Sequence, residues 1–208
     1  MIRLVSADVA NSMLISHYLG PVRRARITVA CSDGEAIGVY GWPTTGNFRF
    51  GFSTIELMRL WSPDQYSGVL SQFVAQTIKI IHKECPEVDL LVSYADSEAG
   101  HHGGIYRASN WLYAGRASAG GPQGFIIDKE PNQGIHQIGF PGLVEDSQTS
   151  IVHTRTVSHR YGHCNREQLE KELGVKVTAI ARVPKHTFYY PLTKKVRRVL
   201  NQKIGETR

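Results

Sequence analysis

A strand–loop–helix–strand pattern over residues 52–95 limits the fold more than any other feature of the chain. FSTIELMRLW (52–61) reads as a long strand whose imperfect alternation suits a central position in a sheet. Val69, Leu70, Phe73, Val74, Ile78 and Ile81 then recur at helical spacing. A helix is predicted from about Gln65 to His82, closed by Pro86. VDLLVSYA (88–95) follows as the next strand. A strand, a helical crossover and a second strand in one layer call for a right-handed connection and a parallel pair.

The flanks extend this core. Residues 6–18 are predicted helical: Ser6 or Asp8 can cap, Val9, Met13 and Ile15 supply an apolar stripe, and Gly20-Pro21 stops it. ITVACS (27–32) and AIGVYGW (36–42) read as strands joined by Asp33-Gly34, a hairpin signal. Pro43 to Gly46 make a loop. GGIYRASN (103–110) reads as a short helix and NWLYAGRA (110–117) as a strand. Residues 117–150 are rich in Gly, Pro, Ser and Gln, irregular but for short strands near Phe125–Ile127. NREQLEKELG (165–174) is a helix that Asn165 can cap and Gly174 can end. VKVTAIARV (175–183) is a strand, KHTFYYPLT (185–193) is extended, and TKKVRRVLNQKIG (193–205) is a short basic helix. Thr156-Val157 argue for a strand, so His159 and His163 are not expected on one face. The 208 residues are expected to form one domain, 1–208, with a basic C-terminal extension from about residue 185.

A formal net charge of +6 points to a polyanionic partner. Basic residues cluster at Arg23, Arg24 and Arg26, and again from Lys185 through Lys194, Lys195, Arg197 and Arg198. Such runs are also found on plain solvated faces. No stretch approaches the ~18 apolar residues of a membrane span, and MIRLVSADVANSMLI has no signal-peptide core. The expected location is the cytoplasm of the producing cell. Cys31, Cys85 and Cys164 are odd in number and form no CxxC pair, which argues for inert free thiols.

The densest chemistry is SYADSEAGHHGGIYRASNWLYAG, Ser93 to Gly115, directly after a strand. Asp96 stands where that strand ends, a usual place for functional groups in an open sheet. It is read as a metal ligand or a general base, or alternatively as a helix cap. Tyr106 carries a phenol able to act as a general acid, or simply a buried ring with a bonded hydroxyl. Adjacent side chains diverge on most backbones, so His101 and His102 are not expected to form one metal motif. His101 is read as an active-site or loop residue. Ser93 and Asn110 are read as substrate-binding or loop-fixing.

The order of elements from about Val5 to Ala117 resembles the GNAT acyltransferase fold. The fold class expected is thus α+β (mixed α/β), a GNAT-like central mixed sheet with a strand–loop–helix–strand coenzyme-binding core. The resemblance implies acetyl-CoA between two splayed strands, its pyrophosphate on backbone donors where the central helix opens. The family loop Q/R-x-x-G-x-G/A corresponds here to Gln65-Tyr66-Ser67-Gly68-Val69-Leu70, with Leu70 departing from the small residue. Leu60, Gln65, Ser67 and Gly68 are the implied coenzyme contacts.

The block SYAD…GHHGGIYRASNWLYAG is similar to one carried by the Mom family of phage DNA-modification proteins, a GNAT-like branch. His17-Tyr18, followed by Pro21, matches a second family feature. Less distinct likenesses are His159-Arg160-Tyr161-Gly162 and Tyr189-Tyr190-Pro191-Leu192. The resemblance implies an enzyme that hypermodifies the exocyclic amine of adenine in double-stranded DNA and so protects phage DNA from restriction. A conventional N-acetyltransferase acting on a small amine or protein is the alternative; a non-enzymatic DNA-binding protein is a third. His17, Tyr18, Asp96 and Tyr106 are then the implied catalytic set, with His17 and Asp96 the start of an iron site. Arg24 and Arg197, with their basic neighbours, would hold DNA phosphates. Trp42, Trp61, Trp111, Tyr113 and Phe188 are candidates to stack on a flipped base, or core residues.

Overall fold

The computed structural model describes residues 2–15, 17, 20–22, 25–31, 36–43, 48–62, 69–117, 121–128 and 149–206. Contacts divide the chain into two compact units: Met1–Ala117 with Lys185–Arg208, and Ser118–Pro184.

In chain order the first unit begins with β1 (Ile2–Leu4), α1 (Ala7–Met13), β2 (Ile27–Cys31), β3 (Ile37–Gly41), β4 (Phe48–Arg49) and β5 (Phe52–Trp61). It continues through α2 (Leu70–Glu84), β6 (Leu90–Ala95), α3 (Gly104–Ala108) and β7 (Leu112–Arg116). The second unit holds β8 (Gly124–Asp128), β9 (Thr149–His153), α4 (Thr154–Tyr161), α5 (Arg166–Leu173) and β10 (Val177–Ile180). The chain then returns to the first unit as β11 (His186–Pro191) and α6 (Lys194–Glu206).

The main sheet runs β1-β2-β3-β5-β6-β11-β7, with β4 paired to β5. This is the mixed α+β arrangement with a strand–helix–strand core that the sequence predicts. β5 and β6 pair in parallel through Thr54↔Leu90, Ile55↔Leu91 and Glu56↔Val92. Beyond Glu56 and Val92 the pairing stops. β5 continues to Trp61 against β3, and β6 to Ala95 against β11. The two parallel strands therefore part company where Ser93 and Asp96 stand.

Alternation along the strands builds two cores, one on each face. Ile55, Leu57 and Leu91 pack with Phe73, Val74, Ile78 and Ile81 of α2 and with Phe188. On the other face Leu90, Val92 and Tyr189 meet Val196 and Leu200 of α6. Burying each such aliphatic side chain is worth about 1.5–3 kcal/mol. The segment from Lys185 is woven into this structure: β11 lies between β6 and β7, and Ala117 N donates to Lys185 O at 2.9 Å.

The local readings differ from the structure in three places. α1 is capped by Ser6, whose Oγ accepts from Val9 N, but it ends at Met13. Its buried pair is Ala10 and Leu14 against Ile37 and Val39, whereas Val9 and Ile15 are exposed. Thr156-Val157 lie in a helix, α4, because Val157 is fully buried among Phe125, Leu169 and Val177. That packing outweighs a β-branched helix cost of a few tenths of a kcal/mol. The short strands β1, β4 and β9 are set by their partners and carry little signal of their own. Asp33-Gly34 lies outside the described residues.

The second unit is a sheet of order β10-β8-β9 with α4 and α5. Asn165 Oδ1 accepts from Gln168 N at 3.0 Å, and Gly174, at φ 64°, closes α5, as the sequence predicts. Cys85 and Cys164 are free. No helix among the described residues is long and apolar enough to cross a membrane.

Candidate functional site

Ser93 bridges the divergence. Its Oγ lies 3.1 Å from the carbonyl oxygen of Leu57 on β5 and 2.8 Å from Tyr106 Oη on α3. A serine hydroxyl has one proton and a carbonyl can only accept. Ser93 is the donor in both contacts, so its one proton is shared between the Leu57 carbonyl and the phenol oxygen of Tyr106. The side chain thus satisfies a carbonyl at the point where the parallel ladder stops. The Tyr106 ring is buried between Trp111, 5.3 Å away between centroids, and Phe188, 4.9 Å away. Gly103 makes this packing possible: it is left-handed at φ 74°, and a Cβ there would overlap the buried Phe188 ring.

Asp96 follows the end of β6 and is buried. Its Oδ2 forms an ion pair of 2.7 Å with Lys185 Nζ. The β6/β11 register explains this: His186 is opposite Ala95, so Lys185 falls opposite Asp96. The backbone then turns around the Asp96 carbonyl oxygen, which accepts from Ala99 N at 3.2 Å and His101 N at 2.9 Å. Lys185 was legible in the sequence only as one basic residue of a cluster.

The segment after α1 docks on the diverging edge of β5. Arg59 Nε donates to Gly20 O at 3.0 Å, and a backbone hydrogen bond joins the His17 ring to Leu60. Burial, then the Arg59 charge, then His101 push the His17 pKa down to about 4. The imidazole is therefore neutral at physiological pH, able to accept a proton or a hydrogen bond. His101 contributes to the field on His17, and His102 to that on His186. Leu60 and Ser93 also belong to this end of β5 and β6. Asn110 is exposed at φ 62°, and its N–H bonds to Arg107 O at 3.2 Å; it forms the turn that ends α3. Arg197 lies on α6 with its guanidinium 5.8 Å from the Tyr190 ring centroid, away from the Asp96 end. Tyr18, Arg24, Gln65, Ser67 and Gly68 lie outside the described residues.

Among the stacking candidates, Trp111 and Phe188 are buried in the core. Trp42 is partly exposed but carries the Arg26 guanidinium over its ring at 4.4 Å, and Arg26 also pairs with Glu87.

The iron site implied by the resemblance can be tested against these donors. Among the described residues no three His, Cys, Asp or Glu side chains gather as a metal group. Asp96 is engaged by the Lys185 ammonium, and His17 lies in the field of the Arg59 guanidinium. Cations stand where a metal ion calls for negative charge. The described donor set does not fit iron, and no step through a metal follows from it.

Comparison with known proteins gives a match to the Mom protein family over residues 1–207. Among solved structures the chain is similar to a ribosomal-protein-S5-alanine acetyltransferase from Vibrio fischeri, at 14% identity and TM-score 0.40, covering 57% of this chain and 82% of that one. It is also similar to an N-acetyltransferase from Staphylococcus aureus Mu50, at 11% identity and TM-score 0.42, covering 92% and 97%. No curated protein matches.

Proposed function

The chain belongs to the Mom family, and on that premise we propose that it is a transferase modifying the exocyclic amine of adenine in double-stranded DNA, with acetyl-CoA as donor. The observation that carries this reading is the end of the parallel ladder at Glu56 and Val92, beyond which Ser93 contacts the Tyr106 phenol, Lys185 pairs with the Asp96 carboxylate and the His17 ring bonds at Leu60.

Transfer to an amine needs two proton movements: the amine loses a proton and the departing group gains one. Tyr106 is the acid on this reading, its hydroxyl already aligned by Ser93. Asp96, held by Lys185, orients the adenine amine and takes its proton, and neutral His17 is a second acceptor at the same edge. The opening beyond Glu56 and Val92 suits an extended donor, because the facing edges of β5 and β6 no longer pair with each other there. Bound acetyl-CoA supplies an activated acyl carbon. Leu60 would line that opening, with Gln65, Ser67 and Gly68 at the mouth of α2 as the pyrophosphate contacts. The adenine must leave the duplex to reach a site at this depth. Arg24, Arg197 and their basic neighbours hold the phosphates. Protection of phage DNA from restriction, in the host cytoplasm, is the biological consequence of such a modification.

Mass spectrometry of nucleosides from DNA of cells expressing the protein tests this directly. A modified deoxyadenosine that disappears with Asp96→Ala is the expected result. Unmodified DNA together with acetylation of a small amine or a protein overturns it in favour of a conventional acetyltransferase.

A further inference from the structure

A second cluster of charge stands beside the site and has no part in the roles above. Arg107 follows Tyr106 on α3. Its guanidinium lies over the Tyr113 ring at 5.0 Å and near Phe188 at 5.8 Å. Tyr113 Oη is 2.8 Å from His186 Nδ1. Arg116, at the end of β7, is opposite His186 in the β7/β11 register. Arg107, Arg116 and His102 are exposed, so their donors are open to solvent.

We infer that Arg107 and Arg116, braced by Tyr113 and His186, form a binding site for a phosphodiester of the DNA strand carrying the target adenine. The inference rests on the DNA-modification reading and adds to it where that strand is gripped.

Three observations support the assignment. Arg107 is pre-organised. A guanidinium stacked on an aromatic face keeps its planar fork of N–H donors pointing outward, the geometry that meets phosphate oxygens two at a time. Next, the cluster is cationic without compensation: among the described residues no carboxylate pairs with Arg107 or Arg116. After burial, the charges of Arg116, Arg107 and His102 hold the His186 pKa below its ordinary value, which agrees with their closeness. Like charges held together are unfavourable until an anion joins them. Finally, the place is right. Tyr106 and Tyr113 both pack on Phe188, at 4.9 and 5.2 Å between centroids, so one aromatic ring links the acid to the phosphate cluster. The coenzyme phosphates, by contrast, are expected at the opening of α2, across β5. The cluster is on α3, β7 and β11, and both strands lie beyond β6 in the sheet.

The test measures duplex DNA binding by fluorescence anisotropy from ~50 to ~200 mM salt. It uses the wild type, the double variant Arg107→Gln/Arg116→Gln, the charge-preserving double variant Arg107→Lys/Arg116→Lys, and Arg116→Gln alone. The last is included because Arg107 also packs on Tyr113, and circular dichroism confirms that each variant is folded. The double Gln variant is expected to weaken binding equally on duplexes of different sequence and to lower the salt slope by about 1. The double Lys variant recovers most of the loss, Arg116→Gln shows part of it, and acetyl-CoA affinity by calorimetry stays unchanged. A wild type that binds and modifies DNA, with an unaltered slope in every variant, overturns the phosphate site alone. Loss of acetyl-CoA affinity with DNA binding intact gives the cluster to the coenzyme and overturns it as well. A wild type that binds no duplex overturns both this inference and the reading it rests on.

Discussion

Ser93 Oγ stands 2.8 Å from Tyr106 Oη and 3.1 Å from Leu57 O, so one serine fixes the phenol and bridges two diverging strands. The two functions of that side chain separate in mutants. Tyr106→Phe keeps the ring packed and leaves Ser93 its bond to Leu57, so it is expected to cost about 1 kcal/mol of stability. Loss of a general acid should lower modification about 10²–10⁴-fold. Ser93→Ala leaves the phenol in place but unaligned and the Leu57 carbonyl unbonded. A smaller loss of rate with a larger loss of stability is expected. Adduct levels by mass spectrometry and urea melts measure both; near-wild-type adducts in Tyr106→Phe would remove Tyr106 from the reaction.

Lys185 tests the role of the buried carboxylate. Lys185→Met leaves Asp96 without its 2.7 Å partner and is expected to reduce modification at least 10-fold, a difference of about 1.4 kcal/mol. Lys185→Arg keeps the charge and should restore most of the activity. If Met and Arg variants are equally impaired with equal melting temperatures, the ion pair does not position Asp96.

The pH dependence of stability follows from His17. Its folded pKa, about 4, lies below the ordinary value of 6.5. As pH falls from about 6.5 to 4 the unfolded chain takes up the proton and the folded chain does not, so folding loses stability over that window. Above it both states are neutral and His17 contributes no slope. His17→Gln is expected to remove this component. The stability difference between variant and wild type should be constant above about pH 6.5 and move in the variant's favour below it. A difference that stays flat down to pH 4 contradicts the burial of this ring beside Arg59.

Gly103 is the most constrained glycine of the functional block. Gly103→Ala adds a Cβ against Phe188 and strains a left-handed residue, so a loss of about 1–3 kcal/mol is expected. Gly104→Ala, where a Cβ meets open space, is the control and should melt near the wild-type temperature. Equal melting temperatures for the two variants would show that the loop relaxes away from the ring.

Much of this was legible in the sequence because it is local. The β5–α2–β6 crossover is written in one continuous periodic stretch, and α5 is bracketed by its own capping residues Asn165 and Gly174. What was not legible depends on register between distant segments. KHTFYYPLT is recognisably extended, but nothing in it says that it will lie between β6 and β7. Only that placement brings Lys185 to Asp96 and Phe188 to Tyr106. The buried face of α1 was missed for a related reason: Ala10 and Leu14 are chosen by Ile37 and Val39, not by the helix's own most apolar residues.

Ala117 N and Lys185 O are hydrogen-bonded, so the chain leaves the first unit and re-enters it at a single doorway. The two ends that flank residues 118–184 are therefore held side by side within the first unit. Such an attachment makes the intervening segment an exchangeable cassette. Evolution can lengthen, shorten or replace it without altering a strand of the main sheet, much as a connector accepts different modules. Sequence change can therefore accumulate in one part of the gene while the strand order of the main sheet is inherited intact in the other.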